Sequence, residues 1–417
     1  MDVHRDFCEI AIVEPDGHAR SAGRINTVVE ELELFARSLA ADDVVALEAT
    51  SGAGLIAEII EPHVAAVLVA NTRKLPQISK ATAKTDRLDA RTLARLAGSG
   101  FLETVWAPDE RTRALRRLCA RREALVRART RAKNEAHAVP ARNLCGRPPV
   151  SDCFGKKGRA WLAELQLPID ERLTLDGCLR QIDFLDTEIG ALEAALATQA
   201  LDSPQIQRLM TVPGVNLHTA AAFMASVGDI RRFPSARHVV GYLGLDPRVR
   251  QSGNAEARHG RISKAGSSLA RGMLGEAAWS VAQTPGPLKA FFERIRARKG
   301  PQVAATATAR KLACLFWCLL TRQEDYAYAR PSMTRSKIRQ LELAAGAPPR
   351  KGVRGIAGNK NAQTREAERE IARRAETAYR RTIADWKAAG PAKTGAGATP
   401  GRASSRPSKG KAARQTP

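Results

Sequence analysis

Along the first hundred residues, short apolar runs alternate with longer stretches in which apolar side chains recur every three or four positions. Residues 7–14 (FCEIAIVE) read as a strand, PDGH at 15–18 supplies turn residues, and 19–26 returns as a hairpin partner. VVALEA at 44–49 and VAAVLVA at 64–70 have the length of buried strands. Helical spacing fills 28–40, 52–62 and 85–97. This βββαβαβα order predicts an α/β domain over residues 1–107, on a mixed sheet whose first three strands are antiparallel.

After residue 108 the period changes. Leu115, Leu118 and Leu125 recur near heptad spacing, and a second such run holds Leu175, Leu179, Ile182, Leu185, Ile189, Leu192 and Leu196. Residues 145–158 between them are rich in Gly, Pro and Lys and read as a loop. The pattern predicts an antiparallel coiled-coil arm over 108–200, with two core helices of a bundle as the plainer alternative. Residues 201–325 predict a compact helical domain ending in an apolar helix around 303–321, where Cys314 and Cys318 stand four apart on a buried face. Beyond about 345 the hydrophobic pattern lapses. Residues 364–388 suit one charged helix, and 390–417 hold six Lys/Arg and no acid, so 326–417 reads as a basic, largely disordered extension.

Composition narrows the class. At 417 residues the chain exceeds the roughly 250–300 that one core serves. Its 67 Lys and Arg against 43 Asp and Glu give a charge of +24, which attracts polyanions. An apolar fraction of 44% excludes a wholly disordered basic protein, and 5% aromatics argue against base stacking as the main grip on nucleic acid. No run approaches about 20 apolar residues, and Met1 leads straight into a charged segment, so neither a membrane partner nor a signal core is expected. The seven cysteines are scattered, with no CxxC or Cys/His spacing to suggest zinc or a disulfide framework. A reduced, cytoplasmic, nucleoid-associated protein is the class this implies. Ten basic residues fall between Arg111 and Lys133 against one acid, Glu123, too dense for local salt-bridging. Arg117, Arg121 and Arg122 are therefore read as part of a strip that tracks a phosphate backbone, against the alternative of a solvated face.

Four acids stand out by position. Asp2 lies on the first strand, Glu48 ends VVALEA, and Asp86 and Asp89 open the helix of KTDRLDARTLARL. Three apart on a helix, the last two share a face. Acids gathered in one pocket repel unless divalent cations neutralise them, and hard oxygen ligands suit Mg²⁺ or Mn²⁺. Two such ions about 3.5–4 Å apart would clamp the attacking and leaving oxygens of a phosphodiester. Singly, Asp86 could be a helix N-cap and Asp89 a first-turn acid favoured by the dipole. Glu48, inside an apolar run, is costly to bury unpaired.

MDVHRDFCEIAIVE, VVALEATSGAG and AKTDRLDARTLARL resemble the three acidic blocks of the DEDD insertion-sequence transposases, relatives of the Piv-type DNA invertases. The resemblance extends to about residue 325. It implies a ribonuclease-H/RuvC-like N-terminal domain whose metal-binding tetrad is Asp2, Glu48, Asp86 and Asp89. Residues 209–230 (LMTVPGVNLHTAAAFMASVGDI) resemble a helix-hairpin-helix, whose turn at Gly214 could hold a DNA phosphate on backbone N–H groups. Val215 and Asn216 follow where a second glycine is usual, so an ordinary helical corner remains the alternative.

Residues 241–279 resemble the family's second signature, a Ser-Gly block followed by Gly-x-Ile-Ser/Thr-Lys-x-Gly. Ser252-Gly253 stands among Arg248, Arg250, Arg258, Arg261 and Lys264, cations that lower the cost of bringing a phosphate and an alkoxide together. Arg261 and Lys264 are the candidate nucleic-acid contacts there. The resemblance implies a nucleophilic serine that takes the DNA end covalently. It is assigned to Ser252, with Ser263 as competitor in a block that accepts threonine. The resemblance also implies a structured noncoding guide RNA and assembly into dimers and a tetrameric synapse.

Two features depart from the family pattern. Family members carry several apolar residues before the first acid, whereas Met1 alone precedes Asp2 here. The expectation is either an upstream start or a truncated central strand that holds Asp2 poorly. The basic extension after about 325 is also longer than the family core requires, with nonspecific nucleic-acid retention as its expected role. The reading is a metal-dependent transposase or site-specific recombinase with a serine nucleophile. Its alternatives are a RuvC-like hydrolytic nuclease using water, and an inactive basic nucleic-acid-binding relic.

Overall fold

A computed structural model describes residues 1–14, 16–71, 85–253, 256–349 and 357–388, a mixed α/β chain that is mostly helical. Its N-terminal part opens with β1 (Asp2–Val3), β2 (Phe7–Val13) and β3 (Ala19–Asn26), all antiparallel, with Asp2 opposite Glu9 and Phe7 opposite Asn26. Helix α1 (Val29–Arg37) leads to β4 (Val44–Glu48), and α2 (Ala53–Ile60) to β5 (Ala66–Ala70), which runs parallel to β4. Helix α3 (Asp86–Gly98) then packs across β1, β2 and β4, and β6 (Thr104–Val105) closes antiparallel on β5.

The expected single mixed sheet is instead two three-stranded sheets, β1-β2-β3 and β4-β5-β6. β1 still lies against β4, where the Met1 ammonium donates to the Ala46 carbonyl at 2.7 Å. Asp2 is nevertheless well enclosed, at 3% exposed, so the expectation that it is poorly held is not met. Val3, Cys8, Ile10, Leu32, Leu47 and Ile60 form the core beneath, each large aliphatic contributing about 1.5–3 kcal/mol by burial.

Two 33-residue helices follow, α4 (Glu110–Arg142) and, beyond the short α5 (Lys156–Glu164), α6 (Ile169–Leu201). Arg122 pairs with Glu193, Arg129 with Asp186 and Arg142 with Glu171, an order that makes the two antiparallel. Leu125, Leu185 and Ile189 fill the seam. The stretch read as a loop over 145–158 ends inside α5, which helps enclose Cys153, Leu162, Leu175 and Cys178 where the two long helices meet it.

The helical domain holds α7 (Pro204–Met210), α8 (Leu217–Val227), α9 (Ala236–Tyr242), a β7–β8 hairpin (Pro247–Arg250, Arg258–Ile262), α10 (Ser268–Ala282), α11 (Pro287–Lys299) and α12 (Pro301–Arg322). Phe223 of α8 meets Phe316 of α12 edge to face at 5.0 Å in its centre. Among the described residues α12 alone is long and apolar enough to cross a membrane by length and composition, and half of its apolar window is buried inside the protein. Cys314 and Cys318 are only partly buried, and all seven cysteines are free.

The extension after 325 is more ordered than its composition suggested. Helix α13 (Pro331–Ala344) sends Leu341, 4% exposed, into the helical core, and α14 (Ala357–Ala388) packs on α11 and α13. Helix α13 offers only a thin apolar line, Ile338 and Leu341, which a hydrophobicity pattern does not register, whereas α14 covers the 364–388 stretch read as one charged helix and buries Ala372. Residues 390–417, expected to be disordered, lie outside the described residues, as do 83 and 84 of the third acidic block.

Candidate active site

Asp2 and His4 are two residues apart where the chain is extended, which puts them on one side of it. His4 Nε2 lies 3.1 Å from Asp2 Oδ2 and 3.4 Å from Asp86 Oδ1. Asp86 reaches this point because α3 starts there. Thr85 is the N-cap, its hydroxyl accepting from the Leu88 N–H at 3.3 Å, so Asp86 is not a capping residue. Asp89, one turn on, is 7% exposed, unlike an ordinary solvated first-turn acid. Glu48 ends β4, half-buried, and α3 packs on both β1 and β4, so all four acids belong to elements in mutual contact.

Opposite Asp2 on β2 lies a further carboxylate that spacing along the sequence does not single out. Glu9, 1% exposed, accepts from Arg24 Nε at 2.6 Å and from the Ser21 hydroxyl at 3.3 Å, with Arg87 Nε at 3.4 Å. Burial pushes its pKa up, but the Arg24 hydrogen bond, the Arg24 charge, Ser21 and Arg87 outweigh burial and hold it below the ordinary value. Arg24 also comes within 3.8 Å of Asp86 Oδ2, so one guanidinium lies between Glu9 and Asp86. Ligand atoms of Asp2, His4 and Asp86 all lie within 4.8 Å of one another. Two carboxylates that repel at this range, with more acids on adjoining elements, suit a hard divalent cation. His4 adds an imidazole nitrogen, a softer donor, to that set. A histidine two residues after a strand acid was the available signal for it.

The serine region combines two interlocked loops with the exposed residues 251–253 that follow β7. Gly244 (φ +68°) and Gly266 permit a close approach, since a Cβ on Gly266 would stand 1.9 Å from the Tyr242 carbonyl and one on Gly244 2.4 Å from the Ala265 nitrogen. Arg271 donates to the Leu243 and Gly266 carbonyls at 3.1 and 2.6 Å, joining the same loops. Ser263 belongs to this lock. Its hydroxyl donates to Asp246 Oδ1 at 2.6 Å and its N–H to the Asp246 carbonyl at 2.8 Å. Ser252 lies instead in the exposed connection between β7 and β8, beside Gly253 at φ +56°. Arg261 and Lys264 are exposed near the base of the same hairpin.

Gly214 (φ +85°) turns between α7 and α8, and a Cβ there would sit 2.8 Å from the Val281 nitrogen of α10. Lys337 of α13 donates from Nζ to the Met210, Val212 and Val215 carbonyls at 2.6, 3.0 and 2.6 Å. Burial first, and then Arg330, pushes the Lys337 pKa down to about 8. Packing and this lysine therefore account for the corner's shape.

Acids of α2 and α6, and Glu110 at the start of α4 itself, correct the view that the arginines of α4 are too dense to be paired. Arg113 reaches Glu58 at 2.5 Å, Arg117 reaches Glu110 at 2.5 Å, and Arg122 reaches Glu193 of α6 at 2.6 Å. Arg116 donates to the Ala225 and Ser226 carbonyls of α8. Arg121 and Arg131 remain on the exposed face. His218 of α8 joins the Arg122–Glu193 pair, its Nε2 3.3 Å from Glu193 Oε1. Burial, then the Arg122 charge, lowers its pKa to about 4 against the opposing pull of Glu193.

Two family profiles match the chain: one described as Transposase IS116/IS110/IS902 family over residues 206–293, and a DEDD transposase profile over 1–139. The chain is 30% identical over 249 residues to the transposase for insertion sequence element IS1111A of Coxiella burnetii, covering 58% of this chain and 68% of that protein. It is 27% identical over 283 residues to the transposase for insertion sequence element IS1328 of Yersinia enterocolitica, covering 67% and 84%. The pilin gene-inverting protein of Moraxella bovis is 28% identical over 120 residues, 28% of this chain and 37% of that one.

Proposed function

The chain belongs to the IS116/IS110/IS902 family of transposases, DNA transposition and recombination enzymes, and from that membership we propose that it cuts and rejoins DNA strands by serine chemistry assisted by a divalent metal. The observation that carries this reading is the convergence of Asp2, His4 and Asp86 within 4.8 Å. On a RuvC-like scaffold, Asp2, Glu48, Asp86 and Asp89 would hold Mg²⁺ or Mn²⁺, with His4 beside them. Such ions supply Lewis-acid stabilisation of the attacking and leaving oxygens.

Ser252 is the nucleophile in this reading. Its place on an exposed turn supports the role, whereas the Ser263 hydroxyl is committed to Asp246. Ser252 Oγ bonds to phosphorus as the bond to the departing DNA oxygen breaks, and the serine proton ends on that oxygen. The phosphoserine link retains the phosphodiester energy, so rejoining to a new strand needs no energy cofactor. Arg248, Arg250, Arg258, Arg261 and Lys264 add positive charge for the phosphate. The exposed face of α4 around Arg117 and Arg121, and the turn at Gly214, are carried as phosphate contacts. A structured guide RNA, a dimer and a tetrameric synapse complete the reading.

The test is cleavage of element-end DNA with its RNA, with and without Mg²⁺, by the wild type and by Asp86→Ala. Metal-dependent cleavage lost in Asp86→Ala supports the acid site. Equal cleavage by both proteins removes it. Cleavage that leaves free phosphate and hydroxyl ends with no protein adduct favours a hydrolytic nuclease.

A further inference from the structure

Arg330 caps the start of α13 and is only 9% exposed, yet its guanidinium has no carboxylate partner among the described residues. Its Nε is buried without a hydrogen bond, and Nη2 finds only the Met333 sulfur at 3.4 Å. The nearby acid, Glu368 of α14, is engaged elsewhere, accepting from the Ser332 N–H at 2.9 Å and the Ser332 hydroxyl at 2.5 Å. A buried charge without a counter-ion is costly, and folded proteins avoid leaving one. Burial first, and then the like charge of Arg369, lower the Arg330 pKa against the opposing pull of Glu368, which makes no direct ion pair with it.

Arg330 lines two neighbouring cavities where α13 and α14 meet. One, of about 230 Å³, is lined by Arg330, Arg365 and Arg369 with the Ser336 side chain, against the single carboxylate Glu368. The other, of about 360 Å³, shares Arg330 and Arg369 and adds Arg373. Arg369 touches Glu366 at 3.3 Å, and Arg373 touches Glu366 at 2.9 Å and Glu370 at 3.4 Å, but these are exposed pairs on one helix face, each of little strength. Several guanidinium forks around one space, with a buried one at its base, match the oxygens of a phosphate better than a single carboxylate.

We propose that the α13–α14 junction binds a phosphate of the nucleic-acid backbone, with Arg330 at its base and Arg365, Arg369 and Arg373 around its rim. The rim arginines are exposed, which leaves room for a continuous strand to pass and not only for a small ion. The proposal rests on the chain's acting on nucleic acid but uses neither the acid cluster nor Ser252. Its test therefore reads binding, and stands whether or not the cleavage chemistry is as described.

Three full-length proteins decide it: wild type, Arg330→Gln, and the rim variant Arg365→Gln/Arg369→Gln, which changes only exposed side chains and should fold. Inorganic phosphate at matched ionic strength should raise the melting temperature of the wild type and of neither variant. Duplex DNA of arbitrary sequence should bind the rim variant several-fold more weakly, with a log–log salt slope shallower by about 0.9 for each phosphate that is no longer neutralised. An unchanged slope and affinity in the rim variant would overturn the proposal. So would the disappearance of phosphate stabilisation in the variants while DNA binding stays intact, which would assign the site to the free ion.

Discussion

Asp2 and Asp86 share one imidazole: His4 Nε2 stands 3.1 Å from the first carboxylate and 3.4 Å from the second. One acid comes from the opening strand and the other from the first turn of α3, so the contact joins the two elements that carry three of the four candidate ligands. With acids this close, a cation is the economical neutraliser, and the Arg24 guanidinium, 3.8 Å from Asp86 Oδ2, supplies part of that charge.

Removing Asp86 should therefore abolish metal response without harming the fold. Asp86→Ala is expected to lower Mg²⁺-dependent strand cleavage by at least about 100-fold, given what a metal site supplies. Its melting temperature should match or exceed that of the wild type, because carboxylate repulsion is relieved. Thermal melts with and without Mg²⁺ check this: the wild type should shift upward and the variant should not. A metal shift of equal size in both proteins would exclude Asp86 as a ligand.

His4→Ala keeps every carboxylate but removes the group that holds Asp2 and Asp86 together. The expected result is a Mn²⁺ requirement raised about 10-fold, with the maximal rate largely kept, the usual size of an effect on ligand positioning. Titrating cleavage against Mn²⁺ measures it. A wild-type titration curve would leave His4 as a bystander.

Two adjacent arginines of α4 should behave differently. Arg122→Glu faces Glu193 across the arm and should cost on the order of 2 kcal/mol or more in denaturant unfolding. Arg121→Glu lies on the exposed face and should leave stability alone while flattening the salt dependence of duplex binding by about 0.9 in log–log slope. Equal effects of both changes on binding alone would return α4 to the uniform basic strip expected from sequence.

His218 gives the fold a pH dependence of known sign. Its pKa falls from 6.5 to about 4 on folding, so between those values the unfolded chain binds more protons. Its contribution is fully present above pH 6.5 and is lost as the pH falls toward 4. His218→Gln cannot titrate, so its stability relative to the wild type should improve by about 1–2 kcal/mol between pH 7.5 and 5. A difference that stays constant with pH would mean that His218 is not buried in its neutral form.

Local period made much of the N-terminal fold legible. The runs at 7–14, 44–49 and 64–70 are Phe7–Val13, Val44–Glu48 and Ala66–Ala70, and the long arm helices follow their leucine spacing. What sequence did not disclose depends on distant partners. Arg122 lies 71 residues from Glu193, so a count of local acids missed it. His4 has no periodic signature, and only the arrival of Asp86 on α3 shows where it stands. The division into two sheets leaves no mark on hydrophobic spacing, which registers strands but not which of them pair. Helix α13 was missed because the face it buries is narrow and its main hold is polar: Lys337 on three carbonyls.

The central claim is that a serine on the β7–β8 turn takes the DNA end covalently, and peptide mapping of a trapped adduct tests it most directly. Wild-type protein incubated with element-end DNA, its RNA and Mg²⁺ is denatured, digested with nuclease and trypsin, and analysed by mass spectrometry. The account predicts a nucleotide-modified peptide spanning residues 251–258 with the modification on Ser252, absent in Ser252→Ala, which should still bind metal and DNA. A modified Ser263, or cleaved DNA with no modified peptide at all, would contradict it.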